Sequence, residues 1–454
     1  MKATLRFILL GITAAIVYPS FGNAVGSDRK PNILVFCMDD LSEGLIGCYG
    51  GGVATPNIDK LAHNGIRFTQ GYSTAPMCSP ARVALLTGRY QAQRGIDGNF
   101  KPPVIEDDAP TGLDKGELTL AERLKAQGYQ TGISGKWHLG EEAGFLPVDR
   151  GFDFSFGSVE NLKQNKKTGK GEGDFFRGAE IIHSPGWLVT SPMYAEEANK
   201  FMEANKDRPF FLYISFNAAH APAVSSERWA EKCADVPTAN GQRQKTAQVG
   251  EMDEAIGTVM HKLRELKLEE HTLIFCLSDN GRKDFVGGPG GLEGSNGLRG
   301  DKWKLWEAGV RVPWIVQWQG KLPAGKVMDN VVSHLDMVPT ALAAAGANID
   351  PAWKLDGINL LPLMESRVDK IDRASLYWRV GNRKAGIQSY AIRQGDWKLV
   401  KPVRETDEGE VFLYNLAEDR GELTDLSDKY PEKRELLQRV WDKWSASMPQ
   451  PVNR

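Results

Sequence analysis

The feature that most constrains the fold of this chain is a series of short, almost wholly apolar segments separated by helical patterns. Segments 31–38, 210–216 and 272–277 are nearly continuous apolar runs, which is typical of strands buried on both faces. Between the last two, apolar residues recur at helical spacing, namely Met252, Ile256, Val259, Leu263 and Leu266. This alternation predicts an α/β fold in which a mainly parallel central sheet is sandwiched by helices.

The sequence changes character after about residue 365. Segments 390–400 and 411–414 are predicted to be short strands, and segment 431–445 is predicted to be a helix. A chain of 454 residues is long enough for one large core and a smaller second domain. We therefore expect a main domain over residues 27–365 and a small C-terminal α+β domain over residues 366–454.

The first 26 residues have the pattern of a cleavable signal peptide. Lys2 and Arg6 precede the apolar run 7–17, which is too short to span a bilayer, and segment 22–24 offers small residues for cleavage. A noncleaved anchor is the alternative. We expect a secreted or periplasmic protein. No later segment has 18 consecutive apolar residues, so we expect no membrane span in the mature protein. The net charge of −2 gives no reason to expect a nucleic-acid partner.

Residues 78–82 have the form Cys-x-Pro-x-Arg. Pro80 suits the first turn of a helix, so Cys78 is predicted to lie where free N–H groups and the helix dipole favour an anion. Arg82 follows one turn later, from where its guanidinium can reach back to position 78. A buried structural cysteine is the alternative interpretation.

Two acidic pairs directly follow predicted strands. Asp39 and Asp40 follow the first strand, and Asp279 and Asn280 follow the strand at 272–277. Ligands bind beyond the carboxyl ends of parallel strands, and oxygen ligands suit Ca²⁺ or Mg²⁺ better than zinc. Each pair alone is also consistent with a turn or a helix cap.

Basic side chains occur in similar positions. Lys136 and His138 stand in Gly-Lys-Trp-His-Leu-Gly after a third predicted strand, and His220 stands in Asn-x-x-His-x-Pro after a fourth. Lys302 precedes the segment Glu-Ala-Gly-Val-Arg-Val-Pro at 307–313, with Lys304 as the second choice. Such lysines are often solvated surface charges, and a single histidine is more often structural than catalytic.

Taken in order over residues 31–445, these motifs resemble the type I sulfatases, which are formylglycine-dependent, arylsulfatase-like members of the alkaline phosphatase superfamily. The resemblance implies an alkaline phosphatase-like fold with a C-terminal antiparallel sheet and helix. It implies sulfate ester hydrolysis by residue 78, which a maturation enzyme converts from Cys78 to formylglycine (3-oxoalanine).

The resemblance also implies roles for the site residues. Residue 78 completes a Ca²⁺ site whose other ligands are Asp39, Asp40, Asp279 and Asn280. Lys136 and Lys302 hold the sulfate oxygens, and Arg82 stabilises the hydrated aldehyde. Asp279 is a proton acceptor for the attack, His220 protonates the leaving alcohol, and His138 accepts the proton that accompanies sulfate release.

Two alternatives remain at this point: a phosphate mono- or diester hydrolase of the same superfamily, and an unmatured sulfoglycan-binding protein. The expected substrate is a sulfated carbohydrate rather than a small aryl or alkyl sulfate, because tryptophans that can stack on sugar rings lie near the motifs, namely Trp137, Trp187, Trp303 and Trp306. Cys37 and Cys276 are predicted core residues, and the spacing of the cysteines other than Cys78 allows a disulfide without identifying it.

Overall fold

A mixed sheet of ten strands forms the centre of the protein, in the order β12-β2-β11-β10-β1-β9-β3-β4-β7-β8. The structure is a computed structural model that describes residues 29–100, 111–165, 167–168, 171–235, 242–283, 296–402 and 410–452. The predicted signal peptide lies outside the described residues. The strands are β1 (Asn32–Met38), β2 (Ile66–Tyr72), β3 (Gln130–Gly135), β4 (Phe154–Ser158), β5 (Lys163–Gln164), β6 (Gly171–Glu172), β7 (Asp174–Arg177), β8 (Glu180–His183), β9 (Phe210–Ser215), β10 (Thr272–Ser278), β11 (Trp314–Gln317), β12 (Lys326–Ser333), β13 (Leu376–Asn382), β14 (Gly386–Gln394), β15 (Trp397–Lys401) and β16 (Phe412–Asn415).

The strands at the centre of the sheet are parallel, as the apolar runs predict. Strand β1 pairs in parallel with β10 and with β9, and β3 pairs in parallel with β9 and with β4. Antiparallel pairing occurs further out, where β11 joins β10 to β2, and where β7 and β8 extend the sheet from β4. The predicted α/β class with a mainly parallel sheet is confirmed.

Helices cover both faces of this sheet. They are α1 (Pro56–His63), α2 (Cys78–Thr87), α3 (Leu120–Lys125), α4 (Ser191–Asn205), α5 (Glu227–Lys232), α6 (Gln242–Glu265), α7 (Glu307–Val310), α8 (Met337–Ala344), α9 (Leu361–Met364) and α10 (Pro431–Ala446). Because side chains alternate along a strand, Val35 and Cys37 of β1 enter a core shared with α2, α3 and α8, whereas Leu34 and Phe36 enter a core shared with α1, α4 and α6. Among the described residues, no helix combines the length and the apolar character that a membrane span requires.

The C-terminal part forms a separate antiparallel sheet in the order β13-β14-β15-β16. Helix α10 packs on it through Leu437 and Trp441, and the Trp441 ring stacks on Tyr390 with centroids 3.9 Å apart. The segment 390–400, predicted to be a strand, comprises the end of β14 and all but the last residue of β15, because Gly395 turns the chain with a φ of 59°. The small C-terminal sheet with its helix is confirmed.

Candidate active site

The predicted site residues meet at one edge of the central sheet. Four parallel neighbours, β10, β1, β9 and β3, end together there, since Met38 is in register with Ser278, and Ser215 is in register with both Cys37 and Gly135. The polar residues that follow these strand ends therefore converge. They are Asp39 and Asp40 after β1, Asp279 and Asn280 after β10, Lys136 and His138 after β3, and His220 after β9.

Cys78 faces this edge from the first turn of α2. The helix begins at Cys78, with Met77 as its N-cap, and all of its side chains are buried. The Cys78 sulfur lies 3.3 Å from Asp39 Oδ1 and 3.1 Å from Lys302 Nζ. Burial, reinforced by the Asp39 charge, raises the pKa of the thiol well above its usual value. An unmodified Cys78 is therefore a neutral thiol here, without the thiolate character that a cysteine nucleophile needs.

The acidic side chains around Cys78 fit a hard cation. Candidate ligand atoms of Asp39, Asp40, Asp279 and Cys78 all lie within 4.8 Å of one another, and all four residues are buried. Asn280 donates a hydrogen bond through its amide nitrogen to Asp40 Oδ1 at 2.7 Å, while its own buried Oδ1 has no hydrogen-bond partner among the described residues. A bound cation would give that oxygen a partner, and a set of carboxylate and amide oxygens suits Ca²⁺. The residues present therefore fit the expected metal.

Two lysines enter the same cluster from opposite sides. Lys136 Nζ lies 2.5 Å from Asp39 Oδ2, and Lys302 Nζ lies 2.7 Å from Asp40 Oδ1. Although burial raises the pKa of Asp39, the cations around it, Lys136 first, hold this pKa well below its usual value. Lys304 instead is partly exposed and pairs with Asp301 at 3.5 Å. The geometry thus favours Lys302 over Lys304 as the lysine of the site.

Arg82 is positioned differently from the sequence-based expectation. Its guanidinium contacts Asp279 Oδ2 through Nε at 2.9 Å and through Nη2 at 2.8 Å, and Nη1 donates to Ser215 Oγ at 2.6 Å. Among the described residues, no hydrogen bond joins it to the Cys78 sulfur. Arg82 pairs with Asp279 because that buried carboxylate lies within reach and compensates its charge, and its expected role at a modified residue 78 stays a prediction.

The two predicted histidines occupy different environments. His220 Nε2 lies 3.7 Å from Asp40 Oδ2, and its side chain is 17% exposed. His138 is almost wholly buried, and its Nδ1 atom has no hydrogen-bond partner among the described residues. Burial, with the Lys136 charge next, holds the pKa of His138 well below its usual value, and burial also lowers the pKa of His220. The two rings therefore differ in exposure: the buried His138 can accept a proton, whereas the partly exposed His220 can meet an incoming ester.

Sequence reasoning missed two contributors to the site. Ser215, the last residue of β9, accepts the hydrogen bond from Arg82, and its position at a strand end was an available signal. Asn161 accepts a hydrogen bond from Lys136 Nζ at 2.6 Å through its Oδ1 atom. It belongs to a loop after β4 whose sequence carries no recognisable pattern. All five cysteines lie in described residues and are free, so the disulfide that the spacing allowed does not form.

Comparison with known proteins identifies this constellation. The family model described as Sulfatase matches residues 31–347. The chain belongs to the sulfatase family. A second family model, described as N-sulphoglucosamine sulphohydrolase, C-terminal, matches residues 296–448 of this sulfatase. These matches cover both sheets and all the residues of the site.

Individual relatives support the same assignment. The sulfatase is 35% identical to human arylsulfatase A over 82% of this chain and 74% of that protein. It is 32% identical to N-acetylgalactosamine-6-sulfatase of Canis lupus familiaris over 92% of this chain and 85% of that protein. The solved structure of Ps i-CgsB superposes with a TM-score of 0.77 at 27% identity, covering 94% of this chain and 95% of that one. The protein is thus a sulfuric ester hydrolase with the fold of its relatives.

Proposed function

We propose that this sulfatase removes sulfate from a sulfated carbohydrate, with formylglycine at position 78 as the nucleophile. The observation that carries the proposal is the setting of Cys78: a neutral, buried thiol in contact with the Lys302 ammonium group and beside a carboxylate cluster that Lys136 also contacts. This setting does not activate a thiolate, but it suits an oxygen nucleophile attacking an anionic ester. Formylglycine supplies a hydrated aldehyde, whose first hydroxyl attacks sulfur and whose second allows the aldehyde to re-form with loss of sulfate.

The proposed residue roles follow from charge and position. Lys136 and Lys302 neutralise the sulfate oxygens as the S–O bond to the alcohol breaks. His220 donates the proton that the leaving alcohol oxygen requires, and Asp279 accepts the proton of the attacking hydroxyl. His138, buried and neutral, accepts the proton that must leave when sulfate is released. Arg82 is proposed to act through Asp279, which it holds in place.

A Ca²⁺ ion is the proposed metal. Asp39, Asp40, Asp279, Asn280 and residue 78 would hold it, and it would supply positive charge beside the sulfate oxygens. The buried, unpartnered Oδ1 atom of Asn280 supports this proposal. So does the candidate ligand group of Asp39, Asp40, Asp279 and residue 78, in which three of the four members are carboxylates.

A carbohydrate substrate is supported by the relatives. One is an N-acetylgalactosamine-6-sulfatase, and Ps i-CgsB has been solved in complex with k-i-k-neocarrahexaose.

We also propose that residues 1–26 are a signal peptide, that the protein acts outside the cytoplasm, and that the domain boundary lies near residue 365. A formylglycine-generating enzyme is then a required partner during production.

Peptide mass spectrometry with parallel kinetics tests this function. The peptide that contains residue 78 is expected to be about 18 Da lighter than the cysteine form in active protein, and Cys78→Ala is expected to abolish sulfate release. Cys48→Ala is the matched control, since Cys48 is only partly buried and remote from the cluster. Fully active protein with an intact Cys78 thiol would contradict the proposal. Faster turnover of a phosphate ester than of the sulfate ester of the same alcohol would favour the phosphatase alternative.

A further inference from the structure

The structure separates the four tryptophans near the motifs into buried and exposed ones. Trp137 and Trp306 are 0% and 1% exposed and belong to the cores. Trp187 is partly buried against Phe175, with ring centroids 5.1 Å apart. Trp303, in contrast, is 44% exposed. It is therefore the one of these four whose ring is free to contact another molecule.

Trp303 is also held in an unusual backbone conformation. Its φ is 76°, in the left-handed region that bulky residues rarely occupy. Its N–H donates to the carbonyl of Pro76 at 2.9 Å, and the preceding N–H of Lys302 donates to the carbonyl of Arg282 at 2.7 Å. The first bond joins the backbone of Trp303 to the segment just before Cys78, and the second joins Lys302 to the segment after β10. Such conformations cost free energy and concentrate at functional positions.

The ring lies close to the nucleophile. Lys302 Nζ is 5.8 Å from the centroid of the Trp303 ring and 3.1 Å from the Cys78 sulfur. A single ammonium group therefore bridges the aromatic face and the reacting position. An ester whose sulfate contacts Lys302 would therefore have part of its alcohol within reach of this ring.

We infer that Trp303 is a stacking platform for the sugar ring that bears the scissile sulfate, and that it determines specificity. This inference rests on the proposed carbohydrate sulfatase function. The apolar face of a pyranose ring packs on indole, which offers a large and rigid surface.

Kinetics of the matured enzyme with paired substrates test the platform. The pairs are methyl pyranoside monosulfates and the corresponding alditol monosulfates, which carry the pyranoside's hydroxyls on an open chain with two further hydroxyls, at C1 and C5. Trp303→Gly removes the ring and suits a φ of 76°, so the fold is retained. We expect KM for the pyranosides to rise about tenfold with kcat changed less than threefold, and KM for the alditols to stay the same. Trp303→Tyr, which keeps a ring, should stay within about threefold of wild type on both.

The outcomes separate the two proposals. An equal rise of KM on pyranosides and alditols in Trp303→Gly, or no rise on either, overturns the platform while leaving the sulfatase function intact. Wild-type enzyme that releases sulfate from simple aryl sulfates but from no pyranoside overturns the carbohydrate substrate, and the platform with it. A selective loss on pyranosides that Tyr rescues supports both.

Discussion

The ammonium group of Lys302 lies 3.1 Å from the sulfur of Cys78, although 224 residues separate the two in the sequence. Lys302 Nζ also lies 2.7 Å from Asp40 Oδ1, so a buried cation links the nucleophile to a candidate metal ligand. Burial disfavours the charged lysine, but the carboxylates around it, Asp40 first, outweigh that effect and raise its pKa above the usual value. Lys302 therefore keeps its charge at the position where negative charge develops during ester cleavage.

Removing this charge is expected to slow the reaction strongly. Lys302→Ala should lower kcat/KM for a sulfate ester by at least about 100-fold, because a preorganised donor to the developing charge is lost. Steady-state kinetics measure the change. Lys304→Ala is the matched control and should stay within about twofold, since Lys304 is partly exposed and pairs with Asp301. Equal losses in the two variants would show that the wrong lysine has been assigned.

The metal site gives a prediction about stability as well as activity. Ca²⁺ at about 100 times its dissociation constant should raise the free energy of unfolding of chelator-treated protein by about 3 kcal/mol, because it binds only the folded state. Asp40→Ala and Asn280→Ala should lose both the bound metal and the activity. Elemental analysis and denaturant titrations provide the measurements. Stoichiometric zinc in active protein, with activity lost when zinc is removed, would contradict a hard-cation site.

The sequence predicted the central strands and their polar ends well, for a physical reason. A strand buried on both faces must be apolar throughout, so β1 and β10 appear as unbroken runs, and the acidic residues after them mark the edge of the sheet. The side-chain contacts made by the site residues could be predicted less well from the sequence. The choice between Lys302 and Lys304, and the pairing of Arg82 with Asp279, depend on side-chain packing across distant segments. The short strands β7 and β8 carry no such unbroken apolar run.

A buried charge network between the central sheet's site segment and the C-terminal sheet could not be predicted from the sequence either. Lys398 of β15 lies 2.9 Å from Glu307 Oε1 and 2.8 Å from Glu422 Oε1, and all three side chains are fully buried. Glu422 also accepts a hydrogen bond from the Glu307 N–H at 2.6 Å. Because Glu307 begins α7, shortly after Lys302, the network fixes the C-terminal sheet against the segment that carries the site lysine.

This network predicts a pH dependence of stability. Burial raises the pKa of Glu422 from 4.5 to about 7, despite the opposing charge of Lys398. At Glu422 the folded protein therefore holds a proton that the unfolded chain has already lost, so the contribution of this group to the free energy of unfolding falls as pH rises between about 4.5 and 7. Relative to wild type, Glu422→Gln should make the slope of the free energy of unfolding against pH more positive, by up to about 1.4 kcal/mol per pH unit if one whole proton is involved.

Urea denaturation at several pH values measures the slope. Glu418→Gln is the control, because Glu418 is exposed nearby and should leave the slope unchanged. An unchanged slope in Glu422→Gln, with the fold intact, would show that Glu422 is ionised in the folded protein throughout this range.

The last prediction separates the two histidines by the steps they serve. The His220 side chain is 17% exposed and is proposed to protonate the leaving oxygen. An alcohol of high pKa needs that proton in order to leave, whereas a nitrophenolate hardly needs it. His220→Ala should therefore lose about 100-fold or more on a sugar sulfate, and far less on a nitrophenyl sulfate. His138 is buried and neutral, and is proposed to assist sulfate release from residue 78, which is common to all substrates. His138→Ala should give a burst of alcohol, then stalled turnover, with a sulfated residue 78 detectable by mass spectrometry. Equal losses on both esters in His220→Ala, together with no trapped adduct in His138→Ala, would show that the two roles have been assigned wrongly.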